Sequence, residues 1–544
     1  MPQLQINQGP QDALLYDNSK SYFTNVGYTR TSNFQMELRD VDPQNSADFG
    51  STVQFVIPKA ADLLGPVDLT VDLVPTAAGD NSMASWVESV GFALIDKVTF
   101  SVGSHDIETI TGDQLNIINE LMRPDDVRLG VHTILKTARS ATRWKPSDAT
   151  TSGYLGHGAD SPAAEVERVI WNEGDLGAKK SLIVPLGLFF TKHPSQYFPL
   201  AAIAGCNDVR ISIKFRQKNE LIQVRNKFDN VVGSKLTSSS VGVPDTTPGD
   251  AKMDQGTCKL RCHYYHVTGP EATTLMNKEH VRLLKLWQNQ NKIFKTPTTR
   301  TFTEFNMDID LSFLHPVQEL VMVIRRAKDV GNTSLIGTAA PKNVEQDARE
   351  KNFFAYHGSG YDPNPDNWYN QGNTKDQNAQ TNAQSFAVKV DGFKLTLNGQ
   401  ERHPSLTNLS RKYLMERLMP LLHSNTSTMH RDACHGSSGD VPALHSEHGL
   451  SENYCDGGSH RHMECLKGAL DRKEIYIYPF AIAPENTNPS GAVNFSKVSH
   501  ARLEIKARVK SLQPTAATDF QVDIWGVNYN WLQIKDGRAL TSFA

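Results

Sequence analysis

Ten histidines and cysteines crowd the stretch 423–465: His423, His430, Cys434, His435, His445, His448, Cys455, His460, His462 and Cys465. Imidazole nitrogens and thiolate sulfurs are soft ligands, and four of them around one ion make a tetrahedral zinc site. Cys434, Cys455, His460 or His462, and Cys465 could supply such a set. Their spacings follow no finger or ribbon pattern, in which ligands come in closely spaced pairs. The plainer reading is a solvated, His-rich surface loop, and no residue is assigned as a metal ligand.

Other reactive residue types have bland readings. Cys258 and Cys262 are four apart on an expected strand, which puts them on one face but about 13 Å apart, too far to chelate one ion together. Core packing is the expected role for both, and for Cys206. The sequons at Asn332, Asn408, Asn425 and Asn494 are read as chance matches. The chain has no Walker loop, dinucleotide fingerprint, His-Glu-x-x-His or nucleophile elbow, and Gly358-Ser-Gly360 lacks a strand-to-helix context. Trp525-Gly-Val-Asn-Tyr-Asn-Trp531 could stack bases, but its alternation fits a closing core strand better. No catalytic, cofactor-binding or metal residue is assigned, no cofactor is expected, and the chain is read as a non-enzyme.

The elements that would carry these residues are short strands. Thr52-Val-Gln-Phe-Val-Ile57 and Val67-Asp-Leu-Thr-Val-Asp-Leu-Val74 alternate apolar and polar with the period of half-buried strands. Helical spacing is confined to a few places. One is Asp113–Met122, with Thr111 or Asp113 as N-cap and Pro124 as the stop, and another is Ser410–Pro420. Long polar excursions separate the strands at 125–178, 219–257, 327–384 and 404–472, and read as elaborated surface loops.

A strand-rich block occurs twice, about 290 residues apart. Val98–Asp106 runs into a Gly-Ser turn, and Phe393–Glu401 runs into an Asn-Gly turn. Leu182-Ile-Val-Pro-Leu is answered by Ile475-Tyr-Ile-Tyr-Pro, and Arg210-Ile-Ser-Ile-Lys by Arg502-Leu-Glu-Ile-Lys. The implied fold is all-β: two tandem eight-stranded antiparallel jelly-roll β-sandwiches with long loops and a few short helices. The expected division is an N-terminal arm at 1–25, a first jelly roll at 26–268, a connection at 269–294 that begins helical, and a second jelly roll at 295–544.

Composition limits function. At 544 residues the chain is too long for one core and suits two domains. With 39% hydrophobic residues, 21% charged residues and a formal net charge of −3, it offers no bulk attraction to phosphates or anionic membranes. No apolar run approaches the roughly eighteen residues that cross a bilayer. Met-Pro-Gln-Leu-Gln-Ile-Asn-Gln lacks the features of a signal peptide, so synthesis in a cytosol-like compartment with reduced thiols is expected.

Four places then resemble one family, the double jelly-roll major capsid proteins of nucleocytoplasmic large DNA viruses. Phe92-Ala-Leu-Ile-Asp-Lys-Val-Thr-Phe with Gly112–Leu121 is similar to its first strand–turn–helix unit. Val184–Pro194, Phe198–Ile203 and Asp208–Ile213 look like its most recognisable stretch. Pro489-Ser-Gly-Ala-Val-Asn-Phe-Ser496 matches its Pro-Ser-Gly-x-x-Asn-Phe-Ser signature, and Asn528–Leu532 matches its closing strand. The His/Cys-rich loop departs from the family pattern. The resemblance implies a structural subunit that forms homotrimeric, pseudo-hexameric capsomers tiling an icosahedral shell. Implied partners are neighbouring capsomers, minor capsid and penton proteins and inner viral membrane proteins, without sequence-specific nucleic-acid binding. It places the protein in the virion capsid, made in the host cytoplasm. The alternatives are a carbohydrate-binding or carbohydrate-cleaving β-sandwich, or a minor capsid paralogue.

Overall fold

The structure is a computed structural model that describes residues 33–74, 82–87, 89–122, 144–146, 166–168, 180–205, 207–226, 231–233, 252–295, 303–330, 353–354, 356, 388–402, 409–410, 413–423, 475–509 and 519–542. The first half contributes β1 (Phe34–Val41), β2 (Thr52–Ile57), β3 (Leu63–Val74), β4 (Ile95–Val102), β5 (His105–Thr111), β6 (Lys180–Pro185), β7 (Val209–Phe215) and β8 (Lys252–Val267). One sheet has the order β1-β8-β3-β6 and the other β2-β7-β4-β5, with every pairing antiparallel.

The second half repeats the arrangement strand for strand. Its elements are β9 (His280–Lys295), β10 (Thr303–Asp310), β11 (Pro316–Arg326), β12 (Val388–Leu397), β13 (Gln400–Glu401), β14 (Tyr476–Pro479), β15 (Ala501–Val509) and β16 (Asp519–Lys535). These pair as β9-β16-β11-β14 and β10-β15-β12-β13. Two facing sheets with four principal strands each, in the same connectivity, make each half a jelly roll, and short strands such as Phe198–Pro199 on β3 and Arg538–Thr541 on β16 extend them. The repeated strands quoted from sequence fall on equivalent positions, β4 with β12, β6 with β14 and β7 with β15.

Period-2 burial explains why these segments are strands. Val53, Phe55 and Ile57 of β2 face the core of the first sandwich, as do Val209, Ile211, Ile213 and Phe215 of β7. Phe100 of β4 sits 5.0 Å from the Phe190 ring and 5.1 Å from Phe198, in an aromatic centre that seals the sandwich. Cys258 and Cys262 are part of this core, fully buried as expected, and burial pushes both thiols up to about 12. Thiolate chemistry is closed to them. The Asn398-Gly399 turn takes positive φ at both residues (51° and 77°), the geometry of a tight hairpin that favours Asn-Gly.

Helix α1 (Gly112–Met122) follows β5. Its entry is a capping box: Thr111 Oγ1 accepts from Gln114 N at 3.4 Å, and Gln114 Oε1 accepts from Thr111 N at 2.8 Å. Of the two caps considered from sequence, Thr111 is the one used. The counterpart helical stretch runs over 413–422 rather than 410–420, because Leu409–Ser410 is drawn into a bridge with β12. The sandwiches are linked by α2 (Pro270–Asn277). Residues 280–294, placed in the connection from sequence, instead pair along β16 as the edge strand β9. Their many Gln, Asn and Lys residues hid the strand pattern. In the excursion read as 219–257, Ile222–Asn226 pairs with Ser82–Trp86, and β8 already begins at Lys252.

Candidate functional site, the seam between the two sandwiches

Residues Asp519–Asn530 of β16 are buried without a break, twelve in a row, so both faces of this strand are covered. One face, with Phe520, Val522 and Ile524, looks into the second sandwich's own core. On the other face Asp523 pairs in register with Val323, and Trp525 with Val321. That outer face of the sheet would meet solvent in an isolated sandwich. Here the first sandwich covers it.

Arg325 is the centre of this seam. It is 2% exposed and donates from Nε and Nη2 to Asp523 Oδ2, at 3.0 and 2.6 Å. Its Nη1 donates to Asp113 Oδ1 at 3.2 Å, reaching the first turn of α1 in the other sandwich, and to the Phe353 carbonyl at 2.7 Å. Burial alone would drain its charge, but Asp113 and then Asp523 hold the guanidinium above its ordinary range. Burial raises the Asp523 carboxyl, and Arg325 pulls it back down. Gln521 Nε2 donates to the second Asp523 oxygen at 2.7 Å. From the first sandwich, Arg216 places its guanidinium 4.0 Å from the Phe353 ring centre and 3.9 Å from Asp113. Asn116 of α1 meets the buried Tyr356 hydroxyl at 3.5 Å. A planar five-donor group suits such a junction, because one Arg can bind a carboxylate on each side.

A second charged group lies further along β11. His423 Nε2 is 3.0 Å from Glu319 Oε2, and its Nδ1 is 3.3 Å from Glu485 Oε1. Burial opposes charge on the ring, but Glu319 and then Glu485 outweigh it and raise His423 to about 9. Across the seam Glu108 of β5 accepts from Phe189 N at 2.7 Å, and burial pushes its carboxyl up to about 7 against the pull of Lys192. Lys192 is exposed at this end of the seam; the protein packed around it lowers its ammonium, and Glu108 and then Glu319 hold it up. Lys285 of β9 donates to the Pro484 carbonyl at 2.6 Å, and burial followed by Lys192 lowers it to about 8.

The seam also has backbone stitches. Gly537 O accepts from Ala204 N at 3.1 Å and from Asn207 Nδ2 at 2.8 Å. Gln196 Nε2 donates to the Leu283 carbonyl at 3.3 Å, and Arg282 donates to the Ser195 carbonyl.

Of the loop 423–465, only His423 falls among the described residues, and it is an ion-paired group in the second sandwich. The remaining histidines and cysteines of that loop, Cys206 and Gly358–Gly360 lie outside them. Among the described residues no group of three or more His, Cys, Asp or Glu is arranged to hold a metal ion. The sequon at Asn494 has a structural use: its Oδ1 accepts from Ser496 N at 3.1 Å and caps a tight turn, while Phe495 packs edge-on to Phe313 and Phe480. Ser490 Oγ brackets Ala483 N and O at 3.0 Å each. At Gly491, with φ 136°, a Cβ would lie 2.7 Å from the Phe480 carbonyl oxygen. The Pro489–Ser496 motif is therefore a loop lock. Sequence reasoning missed the seam, although one signal existed: Arg325 ends an otherwise apolar run, Leu320-Val-Met-Val-Ile324.

Two sandwiches of one connectivity, fused side by side through a buried polar seam, define a double jelly-roll fold. Residues 21–247 match the family model described as the major capsid protein N-terminus. The chain is 23% identical to the major capsid protein of Phaeocystis pouchetii virus over 547 residues, covering 98% of this chain and 97% of the relative. It is 21% identical to that of Paramecium bursaria Chlorella virus 1 over 555 residues, covering 99% and 98%. Among solved structures it superposes on the quasi-atomic model of the PBCV-1 virus capsid with a TM-score of 0.58 at 19% identity, covering 96% of this chain and 100% of that one. The Faustovirus major capsid protein gives 0.51 at 13% identity, covering 94% and 92%. Along nearly its whole length the chain is thus similar to the major capsid proteins of these large DNA viruses.

Proposed function

We propose that this chain is a structural subunit of an icosahedral capsid that assembles as a homotrimer, each trimer a pseudo-hexameric capsomer. The observation that carries the reading is the duplication itself. Two jelly rolls with identical strand order in one chain allow three chains to fill six similar places. The relatives of matching length are major capsid proteins, which supports a structural rather than catalytic role. The most enclosed carboxylates of the second sandwich, Glu319 and Asp523, are consumed by ion pairs with His423 and Arg325, not held free for acid–base work. In this reading the arm at 1–25, the first roll, the connection and the second roll are the parts of one capsomer subunit. Its partners are further copies, minor capsid and penton proteins, and proteins of an inner viral membrane. Its place is the virion shell, after synthesis in the host cytoplasm.

Light scattering on the purified full-length chain tests this. A species of three times the chain mass is expected, with six-lobed particles in electron microscopy. A strictly monomeric species at micromolar concentration would overturn the proposal.

A further inference from the structure

Residues 482–490, which follow β14, form a turn clasped by side chains from three other elements. Within it Ile482 N donates to the Ser490 carbonyl at 3.3 Å, Asn486 N donates to the Ala483 carbonyl at 3.3 Å, and Ser490 Oγ brackets Ala483. From β9, Lys285 Nζ donates to the Pro484 carbonyl at 2.6 Å and also to the Asn486 carbonyl. From β11, Gln318 Nε2 donates to the Pro484 carbonyl at 3.3 Å. The third hold is His423, the residue after the helical stretch 413–422, whose Nδ1 lies 3.3 Å from Glu485 Oε1.

Of these three holds, His423 is the one that fails when a proton leaves. Burial followed by Lys192 lowers Lys285 to about 8, but a neutral amine still has two N–H groups for its two carbonyls. Gln318 does not titrate. An imidazolium presents an N–H on each side of the ring, whereas neutral imidazole has one N–H and one lone pair. His423 is buried between two carboxylates, with Glu319 Oε2 3.0 Å from Nε2 and Glu485 at Nδ1. When one proton is lost, the other stays on the shorter contact, toward Glu319, and Nδ1 turns its lone pair on the Glu485 carboxylate. The other charged groups facing this place from the described elements are Lys285, which feels Glu485 but donates to the two carbonyls, and Lys192 of the first sandwich with Glu108 of β5 beside it.

We infer that His423 is a proton-dependent latch: protonated on both ring nitrogens it fastens the 482–490 turn to β11, and loss of one proton frees the turn while the sandwich stays folded. This concerns a single chain and stands apart from the assembly reading. Against the cost of burial, Glu319 and then Glu485 raise His423 to about 9. The latch is therefore shut at neutral pH and opens in alkali. It governs the turn that carries Ile482, 84% exposed, and that leads into the Pro489–Ser496 loop lock.

Hydrogen–deuterium exchange on the full chain tests it, because the Ile482, Ala483 and Asn486 amides each make a hydrogen bond within the turn. From pH 7 to pH 10, protection across 482–490, corrected for the intrinsic rise of exchange with pH, should fall at least about tenfold, while β11 keeps its protection. His423→Gln should show the low value already at pH 7 and respond no further to pH. Glu485→Gln should do the same. Its carboxylate is 28% exposed, so this variant carries the test even where the substitution at the buried His423 fails to fold. A wild-type turn whose protection does not change with pH, or falls only in step with β11, would overturn the latch. A pH response that persists in either variant would overturn it too, since the proton would then belong to another group.

Discussion

Arg325 and His423 are both buried cations held by carboxylates, but they differ in whether pH can reach them. Arg325 keeps its charge throughout the accessible range. His423 titrates near 9 and Glu108 near 7, each above its ordinary value. In both cases the folded chain binds a proton that the unfolded chain has already released, so stability falls as pH rises across the interval. For Glu108 the window runs from its ordinary value of 4.5 to about 7. For His423 the stabilisation is complete below 6.5 and is lost as pH passes about 9. Lys285 acts in the opposite sense, recovering stability between about 8 and 10.5. Urea unfolding from pH 5 to pH 9 should therefore show a decline on the order of 1–3 kcal/mol. Glu108→Gln, which keeps an acceptor for the Phe189 N–H, should remove the part of that decline below pH 7. A flat profile in the wild type would contradict this account.

At the level of elements, much was legible from sequence because the signals were local. Alternation in β2 and β7, the Asn-Gly turn after β12 and the Thr111–Gln114 box before α1 each lie within a few residues. The seam was not legible, because Arg325 and Asp523 are separated by 198 positions. Asp519, Gln521 and Asp523 alternate with Phe520, Val522 and Ile524, a pattern that reads as a solvent face. Only the other sandwich turns that face into an interior. In the His-rich loop the one described histidine, His423, is held by Glu319, a pairing over 104 positions that sequence order does not show. One seam element can be tested singly. Asp536-Gly537 has positive φ at both positions (50° and 73°), and a Cβ on Gly537 would fall 2.3 Å from the Ala204 Cβ and 2.7 Å from its N. Gly537→Ala should push the hairpin off the 204–207 turn, breaking two hydrogen bonds to its carbonyl and costing roughly 2–4 kcal/mol in chemical denaturation. Gly399→Ala, whose Cβ would meet nothing within 4 Å, carries only the strain of its φ of 77° and should cost clearly less.

For the whole molecule, the question is whether two rolls in one chain behave as two domains or one. Separate domains joined by a linker usually meet through modest interfaces and unfold independently. Here the second sandwich would expose Glu319, Val321, Val323, Arg325 and the outer face of β16 if the first sandwich unfolded. Asp113 would lose Arg325 and Asn116 would lose Tyr356 if the second did. Neither half can melt without leaving buried charge or apolar surface uncovered on the other. Calorimetry on the wild-type chain should therefore show one transition, with van't Hoff and calorimetric enthalpies in agreement. Arg325→Ala leaves Asp523 buried and unpaired, a loss of about 3–5 kcal/mol, and it removes the tie to Asp113 as well. In that variant the transition should move down in temperature and split in two, the earlier step belonging to the second sandwich, which holds the orphaned carboxylate. Arg325→Lys should behave almost as badly, since one ammonium cannot reach Asp523, Asp113 and the Phe353 carbonyl in the directions the guanidinium does. Two well-separated transitions in the wild type would mean that the seam is too weak to couple the rolls. The pairing of sandwiches would then have to be imposed by neighbours in the assembled shell rather than carried by the chain.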